Sequence, residues 1–326
     1  MGITAKGEKQ PVAEEVFFSI PIVSLRVDTI VRFDLYIRSN PLSSPVLYRE
    51  RNLPFTEQTK ERLSESAVNE LFVSSEQSAA WRGYVESNLN AILSDPKIDI
   101  VERSKVLHDS AAGLVKDVFQ EPRSGEVLQR SRALVENAIS FILTQQAAVE
   151  SLLKVTAIDY YTYTHCVNVF VFSIAFARRL GLEGSQMMEF ANGALLHDIG
   201  KCLIPTATLI SPRKLTTEEW EQMKHHPVHG YNILRSHGLK DGIILDVTRH
   251  HHEKLTGKGY PDNLPADEIS MFARMSTISD IFDALTTRRS YKEALPSFDA
   301  LQLMKGEMAK DLDRELFKAF VEMMGS

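Results

Sequence analysis

The chain has 326 residues, 44% hydrophobic and 25% charged, ordinary proportions for a globular protein and enough for two domains at about 150 residues each. A net charge of −6 argues against a protein that coats nucleic acid or an anionic membrane, which needs a basic surface. No apolar run reaches the ~18 residues of a membrane span, the polar start MGITAKGEKQ lacks the apolar centre of a signal peptide, and two cysteines, Cys166 and Cys202, suit a reducing cytoplasm.

In chain order, FFSIPIVSL, FDLYIRS and PVLYRE are β-branched and aromatic runs punctuated by Pro41, Pro45 and Pro54, which predicts short strands. A helix-like stretch begins at Thr56, and LFVSS (Leu71–Ser75) reads as another strand. Helical patterning then runs from Ala79 to Phe119, broken at Asp95-Pro96. These stretches predict a small mixed α/β unit followed by linking helices. The interruption EPRSG (Glu121–Gly125) marks the expected boundary, giving an accessory domain at 1–125 and a second domain at 126–326. No acidic pair ends an apolar first strand, and five βα repeats do not fit before Gly125, so a phospho-acceptor receiver domain is excluded.

Beyond Gly125 the pattern is helix after helix. Helices are expected over Leu128–Lys154, over Asp159–Leu180 closed by Gly181, and over Gln186–Asp198. A capping-box-like TTEE (Thr216–Glu219) precedes one over Thr217–Gly230. Ile243–His252, Ser270–Thr287, Phe298–Ala309 and Arg314–Met324 follow. The expected fold is mainly α: an all-α bundle preceded by the small α/β accessory domain.

Histidine is distributed very unevenly. Nine of the ten histidines lie between His165 and His252. Metal-competent residues recur there in order: His165; His197-Asp198; His226-Pro227; His251-His252; and, further on, Asp280. Imidazole and carboxylate are ligand types of borderline transition metals. An adjacent His-Asp pair at a helix end can offer one ligand to each of two ions, and two ions about 3.5–4 Å apart can clamp both oxygens of a phosphodiester displacement. A lone histidine on an apolar helix, such as His165, reads as a satisfied core residue; the complete series points to ligation instead.

HDIGK (His197–Lys201), HHPVHG (His225–Gly230) and HHEKLTGKGYP (His251–Pro261), flanked by YTYTHC and SDIFDALTTRRSYK, resemble the signature of the HD-GYP phosphohydrolases. The resemblance covers about Leu128–Met324. It implies an HD-type helical bundle, and a phosphodiesterase that hydrolyses cyclic di-GMP to linear pGpG, with onward cleavage to GMP open, through a metal-bridging hydroxide. It also implies two divalent ions, iron or manganese, and no organic cofactor. By matched position, His165, His197, Asp198 and Asp280 would hold one ion. Asp198, His226, His251 and His252 would hold the other, with Asp198 bridging. Some members place a Glu four residues before the first histidine and take a third ion; here that residue is Tyr161. Catalytic roles fall to Asp198 and to Lys201, which would contact the scissile phosphate. Tyr260 would lie beside the substrate, and Arg289 and Lys292 would hold the other phosphate.

Departures from the family pattern motivate other readings. Thr256 stands where the family carries Asp, so a loop-organising carboxylate is lost; Ser290 follows the matched Arg where Pro is usual, and Arg288 replaces an acidic residue. The alternatives are a weak or inactive module acting as a cyclic-dinucleotide sensor or protein scaffold, and a phosphodiesterase for a different cyclic dinucleotide. Signalling proteins could dock through the N-terminal domain or the GYP loop; DNA, RNA and membrane insertion are not expected. His225, His229, His237 and His250 are unmatched extras, though His250 or Glu253 could orient ligands. Cys166 and Cys202 read as small buried hydrophobes. GKG (Gly257–Gly259) completes neither a Walker nor a Rossmann loop.

Overall fold

The computed structural model describes residues 16–40, 42–145, 147–155, 162–240, 242–287 and 293–325. The chain divides into two compact units, Met1–Asn88 and Leu89–Ser326.

The first unit holds strands β1 (Phe17–Pro21), β2 (Thr29–Val31), β3 (Leu35–Ile37), β4 (Val46–Arg49) and β5 (Leu53–Phe55), then helix α1 (Glu57–Glu65) and strand β6 (Glu70–Ser74). Four strands form an antiparallel sheet in the order β1-β6-β3-β4, with Phe17 opposite Ser74 and Tyr36 opposite Phe72, while β2 and β5 form a separate ribbon. Thr56 caps α1 by accepting from the Thr59 amide. Ile20, Phe33, Leu35, Phe55, Leu71 and Val73 make the core. Phe33 meets Trp81 and Tyr84 edge-on, on the first turns of α2 (Ser78–Leu93). Every described strand pair is antiparallel, the opposite of the βα repeats of a receiver domain.

The second unit is all-helical: α3 (Ile100–Gln120), α4 (Val127–Thr144), α5 (Ala148–Val155), α6 (Thr162–Arg179), α7 (Gly184–Leu196), α8 (Thr206–Leu209), α9 (Thr217–Met223), α10 (His226–Ser236), α11 (Ile243–His250), α12 (Met271–Thr286), α13 (Ser297–Glu307) and α14 (Arg314–Met324). Helix α7 packs against α6 and α11, and α12 crosses α6. Phe172 and Phe176 of α6, Phe282 of α12 and Phe320 of α14 interlock with ring centroids 5.2–6.2 Å apart, the geometry aromatic quadrupoles prefer. Among the described residues no helix is long and apolar enough to cross a membrane.

Three expectations need correction. The units divide at 88/89, not at 125/126. Helix α3 buries Val106, Leu107, Ala111, Leu114, Val115 and Val118 and packs on α4, α5 and α6, so it belongs to the helical unit; EPRSG is only the turn into α4. The stretch Leu128–Lys154 is two helices with a break after Thr144. Thr217–Gly230 is also two, α9 and α10. The capping box at Thr216 is present, but Pro227 lies in the first turn of a new helix, where its missing N–H leaves no hydrogen bond unmade.

Candidate active site

Five helices deliver the histidines and aspartates to one buried centre. His165 projects from α6, His197 and Asp198 follow α7, His226 opens α10, His251 and His252 follow α11, and Asp280 lies on α12. They fall into two groups, Asp198 with His226, His251 and His252, and His165 with His197 and Asp280; within each group the ligand-type atoms lie within 4.8 Å of one another. Asp198 faces both. Its Oδ2 is 3.5 Å from His165 Nε2 and 3.4 Å from His197 Nε2, while its Oδ1 is 3.2 Å from His226 Nε2 and 3.8 Å from His251 Nε2. Asp280 Oδ1 lies 3.0 Å from His165 Nε2, and its Oδ2 lies 3.6 Å from His252 Nδ1.

The surroundings fix the tautomers. His197 Nδ1 lies 2.7 Å from the Ala194 carbonyl, His226 Nδ1 lies 2.8 Å from that of Met223, and His251 Nδ1 is 3.1 Å from those of both Val247 and Thr248. A carbonyl only accepts, so each Nδ1 carries the proton and each Nε2 turns a lone pair inward. For His165 the acceptor is the Asp283 carboxylate, 2.6 Å away; Asp283 in turn accepts from Asn168 Nδ2 at 2.7 Å and Thr287 Oγ1 at 2.9 Å. Carboxylate–histidine pairs of this kind orient metal-ligating imidazoles.

Charge follows the same logic. Burial works to raise the Asp198 carboxyl, but the Lys201 ammonium and the His197 imidazole hold it well below its ordinary value. At Asp280 burial is likewise overcome, by the His165 hydrogen bond and His252. Burial depresses His226; burial and the neighbouring imidazoles push His251 down further; burial takes His252 to about 3. Neutral imidazoles beside ionised carboxylates are the protonation state a metal ion requires. His197 Nε2 and Asp198 Oδ1 are buried without a hydrogen-bond partner among the described residues. A stranded polar atom costs about 1–3 kcal/mol, which a bound cation would remove. The donor set and the orphaned atoms fit two divalent ions.

Lys201 lies on the 3₁₀ turn Ile199–Leu203 and forms an ion pair with Asp198 Oδ2. That turn lies so close to α10 that a Cβ on Gly200 would stand 1.9 Å from the His226 carbonyl oxygen, so only glycine fits. Tyr260 is beside the centre, its ring 4.7 Å from that of His252, and burial raises its phenol far above the usual range. Arg289 and Lys292, with Tyr161, Arg288 and Ser290, lie outside the described residues.

The loop carrying Tyr260 has an organising carboxylate despite Thr256. Glu253, 2% exposed, accepts from the backbone amides of Asp262, Asn263 and Leu264 at 2.7, 3.0 and 3.1 Å. Thr256 Oγ1 donates to Asp311 at 2.7 Å, and Lys254 pairs with the same carboxylate at 2.8 Å. Glu253 therefore orients the loop, not a ligand. His250 is also outside the centre, between Asp246 at 2.7 Å and Asp262 at 3.1 Å. His237 contacts the Pro122 carbonyl, and His225 that of Glu221. Sequence reading missed Asn168 and Asp283. Each follows a candidate ligand by three positions, His165 and Asp280 respectively, on the same helix face.

The profile of the HD domain family matches residues 149–316, a segment containing all seven clustered residues. The chain belongs to the HD domain family. The HD-GYP resemblance is borne out as well. A Pseudomonas aeruginosa protein named as a cyclic di-GMP phosphodiesterase is 30% identical over 94% of this chain and 76% of its own length. A Vibrio cholerae protein named 3′3′-cGAMP-specific phosphodiesterase 3 is 37% identical over 49% of this chain, which spans only 34% of that relative. A solved HDG"Y"P protein from Bdellovibrio bacteriovorus matches with TM-score 0.67 and 20% identity over 95% of this chain and 100% of that one; the fold is therefore shared across both units' length.

Proposed function

We propose that this HD domain protein is a metal-dependent phosphodiesterase that hydrolyses cyclic di-GMP to linear pGpG. The observation that carries the reading is Asp198, whose two carboxylate oxygens face two different groups of buried ligand atoms. His165, His197 and Asp280 would hold one ion and His226, His251 and His252 the other, with Asp198 between them. Iron or manganese suits this donor set. Such ions supply Lewis-acid polarisation of a phosphate and a nucleophile at neutral pH. The Lys201 ammonium, tethered at Asp198, is placed to offset charge on the scissile phosphate. Tyr260 walls the substrate side, and Arg289 and Lys292 take the second phosphate. Water adds to one phosphorus, the 3′-oxygen leaves with a proton, and the 5′-phosphate of pGpG is retained. The chain acts in the cytoplasm, where cyclic dinucleotides signal. The Pseudomonas relative's name supports the substrate; the Vibrio relative's name supports a second reading, a mixed guanine–adenine dinucleotide.

The test is turnover by protein purified anaerobically and loaded separately with Fe(II) or Mn(II), with a His197→Ala/Asp198→Ala variant as blank. Metal-dependent pGpG that vanishes in the variant is the expected result. No product from any cyclic dinucleotide, with two ions bound per chain, would overturn it.

A further inference from the structure

Beside Tyr260, and lined by none of the seven clustered residues, a cavity of about 590 Å³ opens between α9 and the loop 249–263. It holds features that the candidate metal centre does not use. Trp220 of α9 is 46% exposed, an unusual place for an indole, and stands edge-on to Tyr260 with ring centroids 6.2 Å apart. Tyr260 in turn touches His252, so the cavity begins one ring away from the ligand atoms. Its other walls are polar and mainly cationic, with Lys224, Arg249, Lys254 and Lys258 lining it together with the carboxylates of Glu221 and Asp262. Arg249 is committed, since its guanidinium forks onto Asp262 with bonds of 2.7 and 2.8 Å. Lys258 has no salt-bridge partner among the described residues. Glu221 has one, Lys224 at 2.7 Å, with the carboxylate 57% exposed; such a surface pair contributes little and can reorganise around a ligand.

Resting on the proposed cyclic-dinucleotide activity, we infer that this cavity is a guanine subsite that selects the base of the bound dinucleotide. A flat aromatic face with the Lys258 ammonium alongside accepts any nucleobase by stacking, because every base has a π-face. Discrimination needs a hydrogen-bonding group on the base's Watson–Crick edge. Guanine offers that edge two donors, N1–H and the N2 amine, which match the two oxygens of a carboxylate. Adenine offers an N1 lone pair, which a carboxylate repels, and has no amine at C2. Glu221 therefore admits guanine and opposes adenine, Trp220 supplies the stacking surface, and Lys258 supports the adjoining phosphate. One such pocket beside one metal centre orients a mixed dinucleotide in a single sense, so only one of its two phosphodiesters reaches the metals.

The experiment has a binding arm and a product arm. In the first, non-hydrolysable phosphorothioate analogues of cyclic di-GMP and cyclic di-AMP are titrated into the metal-loaded protein by calorimetry. Trp220→Ala is expected to weaken cyclic di-GMP about tenfold, with Trp220→Phe retaining most of the affinity. Glu221→Gln is expected to weaken cyclic di-GMP about tenfold while leaving cyclic di-AMP unchanged or tighter, so the guanine preference collapses. In the second arm, 3′3′-cyclic GMP-AMP is hydrolysed and pGpA is separated from pApG. Wild type should yield one of them in at least tenfold excess, and Glu221→Gln should yield both. A guanine-to-adenine ratio unmoved by Glu221→Gln, or Trp220→Ala binding like wild type, overturns the subsite even where cyclic di-GMP is cleaved. A preference that collapses in the binding arm without any hydrolysis supports the subsite and rejects the activity instead.

Discussion

His165 and Asp283 lie 118 residues apart in sequence, yet Nδ1 of one and Oδ2 of the other are 2.6 Å apart in the buried centre. Asp283 is itself held by Asn168 and Thr287, so the orientation of His165 is set by residues that reach no ligand position. Removing such a partner costs about 10–100-fold in metal affinity. Asp283→Ala should therefore release the ion on the His165 side that much more readily, while His226, His251 and His252 keep theirs. Metal content per chain after graded chelation, by mass spectrometry, checks this: a fall from two ions toward one is expected, and two equally tight ions would reject the role.

The Thr256 departure predicts an outcome opposite to simple restoration of the family residue. Thr256 donates to Asp311, which also accepts from Lys254. Thr256→Asp would set two carboxylates against each other at hydrogen-bonding distance, an expected cost of about 1 kcal/mol at a solvated site. Stability in urea should fall by that amount, and turnover should not rise. Adding Asp311→Asn should recover the loss, since one charge of the pair is then gone. A Thr256→Asp variant more stable than wild type would show that Asp311 does not take over the loop's missing contact.

How far the centre could be read from sequence depends on the range of the contact. His197-Asp198 at a helix end and His251-His252 after another are local patterns, and each ligand-type pair sits where the helix boundaries put it. The i,i+3 partners Asn168 and Asp283 are equally local in spacing, but the carboxylate that His165 and Asn168 of α6 engage comes from α12, and periodicity does not report such pairing. The split of α9 from α10 was visible in Pro227, which fits a first turn better than a helix middle; the apolar spacing across Trp220–Tyr231 concealed it. Helix α3 was placed in the wrong unit for a related reason. Its amphipathic stripe declares that one face is buried, and only packing declares against what.

Gly200 and Gly306 make a matched pair of glycines with opposite expectations. An alanine Cβ at Gly200 meets the His226 carbonyl at 1.9 Å and the Gly230 amide nitrogen at 2.4 Å, both backbone atoms with nowhere to move. Gly200→Ala should destabilise by about 3 kcal/mol, the upper range for overpacking, and should displace Lys201 and His226 enough to abolish metal binding. Gly306, inside α13, has nothing within 4 Å of the corresponding position. Gly306→Ala should stabilise by about 0.5–1 kcal/mol, the helical advantage of alanine over glycine. Denaturant midpoints of the two variants give the comparison directly.

Asp313 links helix capping to pH. It caps α14, its Oδ1 accepting from the amides of Glu315 and Leu316 at 3.1 Å, while Oδ2 takes Arg274 at 2.9 Å. Helix α14 in turn delivers Phe320 to the aromatic core, so a frayed first turn loosens packing as well as backbone. Asp313→Ala should cost about 1 kcal/mol at neutral pH, the usual value of such a cap. Burial opposes ionisation there, but the Leu316 amide and Arg274 outweigh it and lower the carboxyl below its ordinary value. The sign follows from that direction. A group with a depressed folded-state pKa contributes its stability in full above the unfolded value of about 3.9, and loses it as pH falls through the folded value. The stability gap between wild type and Asp313→Ala, followed by urea unfolding from pH 7 downward, should hold constant to about pH 5 and then close. A gap that widens in acid would mean that the carboxylate is not the stabilising form.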